Sequence, residues 1–134
     1  MQDSKTNFTG KIAAALMQNN GTYFIARRAK KDGSEGLWEF PGGKQEEGET
    51  IQECLARELF EEFGIHVQVG DYLCSSFFLL KELPVEMCAF DVRTFTGTIV
   101  PNEHSEVKWV HPSTLREYSF TKPDLVFIEF IENL

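Results

Sequence analysis

The segment Thr50–Gly64, TIQECLARELFEEFG, constrains this chain more than any other stretch. Thr50 followed three residues later by Glu53 forms a capping box, in which each side chain satisfies the other's backbone N–H. Gly64 is suited to the left-handed residue that ends a helix, because it carries no Cβ. The spacing predicts a helix over 51–63. Ile51, Leu55, Ala56, Leu59, Phe60 and Phe63 fill one broad half of its wheel, and Glu58, Glu61 and Glu62 gather at the edge of that half. Carboxylates spaced i, i+3 and i+4 repel each other, and in the last turns the helix dipole opposes them as well. On the residues alone two readings stand. One is a solvated acidic face, with Arg57 offsetting Glu61. The other is a seat for a hard divalent cation, which reverses the sign of both penalties.

Around this helix the apolar pattern is that of strands. Ile12–Met17 and Thr22–Arg28 flank Asn19-Asn20-Gly21 and read as a hairpin. A polar loop over 29–36 leads to a short strand, Leu37–Phe40, and Pro41-Gly42-Gly43 is expected to break regular structure. Ile65–Leu80 and Glu86–Thr96 are β-rich, with Glu82-Leu83-Pro84 as their turn, and Glu106–Val110 is a last strand. His66 is expected to start a strand. Asp124–Asn133 reads as a second helix, with Val126, Phe127, Phe130 and Ile131 inward. This order predicts an α+β layered fold with a mixed sheet and two main helices. At 134 residues the chain is one domain, 1–134.

Thirteen basic against twenty-one acidic residues give a net charge of −8, which disfavours a nucleic-acid polymer or an anionic membrane as partner. Cys54, Cys74 and Cys88 lack metal or disulfide spacing and are expected to be reduced thiols. The amino terminus MQDSKTNFTG lacks the apolar core of a signal peptide. A soluble cytoplasmic protein, monomer or homodimer, is the expectation.

The loop before the helix shifts the balance toward the cation. Gly42 and Gly43 leave backbone carbonyls and amides open to whatever lies beside the helix. From Gly43 the spacing runs G-x5-E-x7-R-E-L-F-E-E-F-G-I, with fixed residues Gly43, Glu49, Arg57, Glu58, Leu59, Glu61, Glu62, Gly64 and Ile65. This resembles the Nudix hydrolase signature over residues 43–65, with every fixed position matched. The resemblance implies an α/β/α sandwich and hydrolysis of a nucleoside diphosphate linked to another group. It also implies Mg²⁺, with Mn²⁺ as the alternative, at Glu58, Glu61, Glu62 and the Gly42 carbonyl. Arg57 would orient the carboxylates and Glu49 would brace the loop. Members of the family take the general base from a carboxylate of the helix or from a later loop; Glu103 is the candidate loop base here, with Glu106 second and His104 a bystander.

The run Leu37-Trp38-Glu39-Phe40-Pro41-Gly42-Gly43-Lys44, together with Phe24–Ala29, is similar to the MutT-like and CTP pyrophosphohydrolase-like subgroup. That likeness implies a nucleotide site lined by Arg28, Glu39, Phe40 and Lys44, with Phe40 supporting a base and Lys44 meeting a phosphate; core packing at the strand end is the other reading of Phe40. Arg27, Arg28, Lys30 and Lys31 carry the plainer expectation of a solvated loop, the usual fate of a charge run. Members of the subgroup carry Asn or Asp just before a proline at the last helix, and Thr121 holds the closest matching position here. A single hydroxyl cannot offer the paired donor and acceptor of an amide. The implied reaction is hydrolysis of a nucleoside triphosphate (8-oxo-dGTP, CTP, dCTP or similar) to the monophosphate and pyrophosphate. Another nucleoside diphosphate derivative such as ADP-ribose, or a non-catalytic nucleotide-binding module, are the alternatives.

Overall fold

Asn20 and Gly21, at φ of 53° and 79°, turn the chain from β1 (Phe8–Asn19) into β2 (Thr22–Arg28). Two successive left-handed residues make the hairpin turn whose twist matches that of its strands. The computed structural model describes residues 8–134, so most of the polar terminus read as free of a targeting signal lies outside the described residues. There follow β3 (Trp38–Glu39), β4 (Gly42–Glu46), α1 (Ile51–Phe63), β5 (His66–Leu80), β6 (Leu83–Thr96), β7 (His104–Val110), a 3₁₀ turn (Pro112–Glu117) and α2 (Leu125–Glu132). The sheet runs β3-β2-β1-β6-β5, with β4 also on β1 and β7 also on β2. β1 and β6 are parallel and the other pairs antiparallel, so the sheet is mixed as expected.

The period of two along the strands sorts the core into two layers. Ala14, Leu16, Tyr23, Ile25 and Ala89 face α2, packing with Phe127, Ile128 and Ile131. Ala13, Ala15, Met17, Phe24 and Phe90 face α1, packing with Leu55, Leu59 and Phe63. Strands covered on both faces read as unbroken apolar runs, which is why Ile12–Met17 shows no alternation. The result is the helix–sheet–helix sandwich the sequence implied.

Several local expectations are corrected. Pro41-Gly42-Gly43 does not end regular structure, because Gly42 and Gly43 open β4, opposite Ala14 and Ala13. These glycines serve close approach: a Cβ on Gly42 would lie 1.8 Å from the Ala13 carbonyl oxygen. The β5–β6 turn is Lys81-Glu82, both at positive φ, while Leu83 and Pro84 pair with Leu80 and Leu79. Pro84 lies before the β1 pairing begins at Glu86, where β6 has a neighbour on one side only and a missing N–H is tolerated. In α2 Ile128 is buried in place of Val126, and in α1 Phe60 is half exposed, its ring against that of His66. Among the described residues no helix is long and apolar enough to cross a membrane.

Candidate active site

α1 begins as its sequence dictates. The Thr50 hydroxyl accepts from the Glu53 N–H at 3.0 Å and Glu53 accepts from the Thr50 N–H at 2.8 Å. Its other end is fixed by the chain before β7. Val100 donates to the Phe63 carbonyl and Asn102 to the Glu62 carbonyl, at 3.0 and 2.9 Å, satisfying acceptors that a helix end leaves free. That tie brings the Glu103 segment to the last turn of α1.

Arg57 organises the carboxylates. Its Nε and Nη2 donate to the two oxygens of Glu49 at 2.9 and 2.8 Å, a bidentate pair. Its Nη1 donates to Glu58 at 3.0 Å and Glu61 at 3.2 Å, and Nη2 also reaches the Lys44 carbonyl. Glu49 in turn accepts from the Glu46 N–H, bracing the loop as expected. Gly43 makes room for this group, because a Cβ there would fall 2.1 Å from Cδ of Glu58.

Glu62 is the anomaly of the helix. It is only 5% exposed, and its Oε1 has no hydrogen-bond partner among the described residues. Burial, then the neighbouring Glu58, Glu39 and Glu103, push its carboxyl up to about 10. Burial raises Glu58 as well, against the lowering pull of Arg57. A solvated acidic face would show neither feature. No three ligating side chains close into a finished metal cage among the described residues. Arg57 holds Glu58 and Glu61 to itself, and Glu62 remains an orphaned buried acceptor. Such a donor set fits a hard divalent cation, whose charge would offset both the burial and the neighbouring carboxylates that raise Glu62. Glu58, Glu61 and Glu62 are the side chains that would hold it.

A second group of side chains adjoins the first. Glu39 accepts from Arg28 Nη1 at 2.7 Å through one oxygen and meets His104 Nε2 at 2.8 Å through the other. Arg28 also donates to Asp32 and Ser34, so it is not the solvated loop cation that a charge run suggests. Phe40, next to Glu39, donates to Asp124, and His104 stacks on Phe63, which places Glu39 between the end of α1 and the start of α2. Asp124 is buried. It accepts from the Phe40 N–H at 3.0 Å and from the Thr121 hydroxyl, and burial pushes its carboxyl up to about 7.

Phe40 is a correction. Its ring is 3% exposed, stacked on Phe120 at 5.3 Å and edge-on to Phe127, so it is core and has no free face for a base. A Phe that leaves β3 toward the α2 layer fills apolar space there. Lys44 stands apart from the Arg28–Glu39 pair, with its ammonium 5.3 Å from the centre of the Phe8 ring. Glu106 on β7 pairs with Arg27 of β2 and Lys108 of β7, whereas Glu103 is the loop carboxylate whose charge acts on Glu62. Sequence reasoning missed the burial of Asp124 and the placement of His104. Glu103-His104 directly before an alternating strand was the available signal for the second.

Fold and site together define a mixed-sheet sandwich presenting a glycine-lined, carboxylate-bearing helix, and the chain belongs to the NUDIX family, whose domain model matches residues 8–129. It is 33% identical to a CTP pyrophosphohydrolase of Escherichia coli over 119 residues, covering 89% of this chain and 88% of the relative. An 8-oxo-dGTP diphosphatase of Buchnera aphidicola is 28% identical over 128 residues, 95% of each chain. Among solved structures, that of the E. coli ORF135 protein superposes with a TM-score of 0.86 at 32% identity, covering 92% of this chain and 89% of the other. The MutT protein of Methanosarcina mazei gives 0.78 at 30% identity, with 92% and 90% covered.

Proposed function

We propose that this chain hydrolyses a nucleoside triphosphate to the nucleoside monophosphate and pyrophosphate, with Mg²⁺ as its divalent cation and Mn²⁺ as a substitute. The observation that carries the reading is the orphaned, buried Glu62 oxygen within a carboxylate set organised by Arg57. Relatives at 33% and 28% identity, named for CTP and 8-oxo-dGTP, support a triphosphate over other diphosphate derivatives. When bound, the cation would neutralise the phosphates and lower the pKa of the attacking water.

The chain's own residues do the rest. Arg57 keeps Glu58 and Glu61 aligned, and Glu49 keeps Arg57 in place. Glu103 accepts a proton from the attacking water, whose oxygen bonds to the β-phosphorus while the bond to the oxygen bridging to the α-phosphate breaks. The water oxygen leaves in pyrophosphate, and the bridging oxygen stays on the monophosphate.

At the base, Thr121 commits its hydroxyl hydrogen to Asp124, which leaves its oxygen as an acceptor. An acceptor favours an amino-bearing edge such as that of cytosine over the carbonyl of uracil or thymine. A panel of ordinary and oxidised nucleotides, scored by product, tests the reading. Pyrophosphate with monophosphate, most rapidly from a cytidine nucleotide, is expected. Release of orthophosphate, or turnover only of ADP-ribose or a nucleotide sugar, would refute it.

A further inference from the structure

The reaction just described leaves the His104 imidazole without a role, yet its surroundings are specific. The side chain is 6% exposed, and its ring lies parallel to that of Phe63, with centroids 5.2 Å apart and 14° between planes. Phe63 closes the helix that carries Glu58, Glu61 and Glu62. A carboxylate only accepts, so the 2.8 Å contact with Glu39 places the hydrogen on Nε2. Nδ1 is buried with no partner among the described residues. An apolar ring would fill this space without stranding a nitrogen, so packing alone gives no reason for histidine here. The bond to Glu39 does.

Glu39 needs such a bond. It sits on β3, a strand of two residues, where little backbone pairing fixes it. Arg28 grips one oxygen from β2 and His104 grips the other from β7, and Arg28 and His104 are themselves partners across the β2–β7 ladder. The carboxylate is therefore clamped at both ends, and through the Phe63 stack the clamp is joined to the carboxylate-bearing helix α1.

We propose that His104 is a positioning residue, which holds the Glu39 carboxylate in the orientation the nucleotide meets by donating from Nε2 while its ring anchors on Phe63. The inference rests on the triphosphate reading, with Glu39 in the substrate site. His104→Phe keeps a flat ring on Phe63 and removes the donor, and His104→Gln keeps a donor at the same reach. His104→Phe is expected to raise KM about tenfold, and to weaken binding of an α,β-methylene triphosphate in Mg²⁺ equally, with kcat within about twofold. His104→Gln should restore most of the loss, and His104→Phe should add nothing in a Glu39→Ala background, where no partner for Nε2 remains. The ¹⁵N spectrum of His104 should show the hydrogen on Nε2.

An unchanged KM in folded His104→Phe, an equal loss in the Glu39→Ala background, or hydrogen on Nδ1 would each overturn the proposal. Should His104→Phe fail to fold, His104→Gln against His104→Asn decides, because the asparagine amide stops short of Glu39. The Gln variant is expected to bind the analogue more tightly, and equal affinities overturn the inference. An unsubstituted chain that binds no nucleotide fails the functional reading and this inference with it. Nucleotide binding that His104→Phe leaves intact fails this inference alone.

Discussion

Without a bound cation, Glu62 works against the fold, and replacing it should stabilise the protein that the same change inactivates. Burial, with Glu58 beside it, pushes this carboxyl up to about 10 from an ordinary 4.5. At pH 7.5 the native state therefore keeps a proton that the unfolded state has released. Over roughly three pH units at about 1.4 kcal/mol each, this withholds about 4 kcal/mol from native stability. Glu62→Gln preserves the volume and carries no charge. In EDTA at pH 7.5 it should gain most of that energy, a rise in Tm of roughly 10 °C for a domain of this size. The sign with pH follows from a raised native pKa. The difference vanishes below about pH 4.5, where both states are protonated, and grows as pH rises toward about 10. Mg²⁺ should raise the Tm of the unsubstituted chain and leave that of Glu62→Gln nearly unmoved. Thermal melts at pH 4.5, 6 and 7.5, with EDTA or Mg²⁺, make the test. A Glu62→Gln protein that is less stable in EDTA at pH 7.5, or that gains equally from Mg²⁺, would refute the reasoning.

Three other outcomes are expected. Glu61→Gln, half exposed and held to Arg57 by one bond, should lose at least about 100-fold in Mg²⁺-supported turnover with little change in Tm, read from product release and melting. Thr121→Ala should change the preference among bases while leaving metal binding intact, and an unaltered profile across the nucleotide panel would remove Thr121 from the base site. Gly43→Ala and Gly42→Ala should separate chemistry from folding. The first displaces the flexible Glu58 side chain and reduces turnover in a folded protein, whereas the second strikes the β1 backbone and lowers Tm by several degrees or abolishes folding.

What was legible in the sequence is what local rules control. The α1 boundaries follow from Thr50, Glu53 and Gly64, because caps act within a turn of the helix end. The first hairpin follows from Asn20-Gly21, because so few residue pairs accept two positive φ values. Residues 43–65 read out the carboxylate set because its members share one helix and one loop.

What stayed hidden depends on contacts distant in sequence. Gly42-Gly43 read as a break, since nothing nearby announces that β1 will lie close enough to require them. Phe40 had two plausible destinations, and only the packing of Phe120 and Phe127 decides between them. The burial of Glu62 depends on a segment forty residues away folding over the end of α1, where Asn102 meets its carbonyl. Asp124 looked like a helix start, yet its carboxyl serves Phe40 and Thr121 and not its own helix. The Glu39–His104 pair joins positions 65 apart, beyond any periodicity.

The acidic edge of α1 as a cation seat is the central claim, and calorimetric titration of Mn²⁺ or Mg²⁺ into the metal-free protein with a non-hydrolysable triphosphate tests it most directly. Saturable uptake that is lost in Glu62→Gln is the predicted result. No measurable uptake, with nucleotide or without it, would contradict the account.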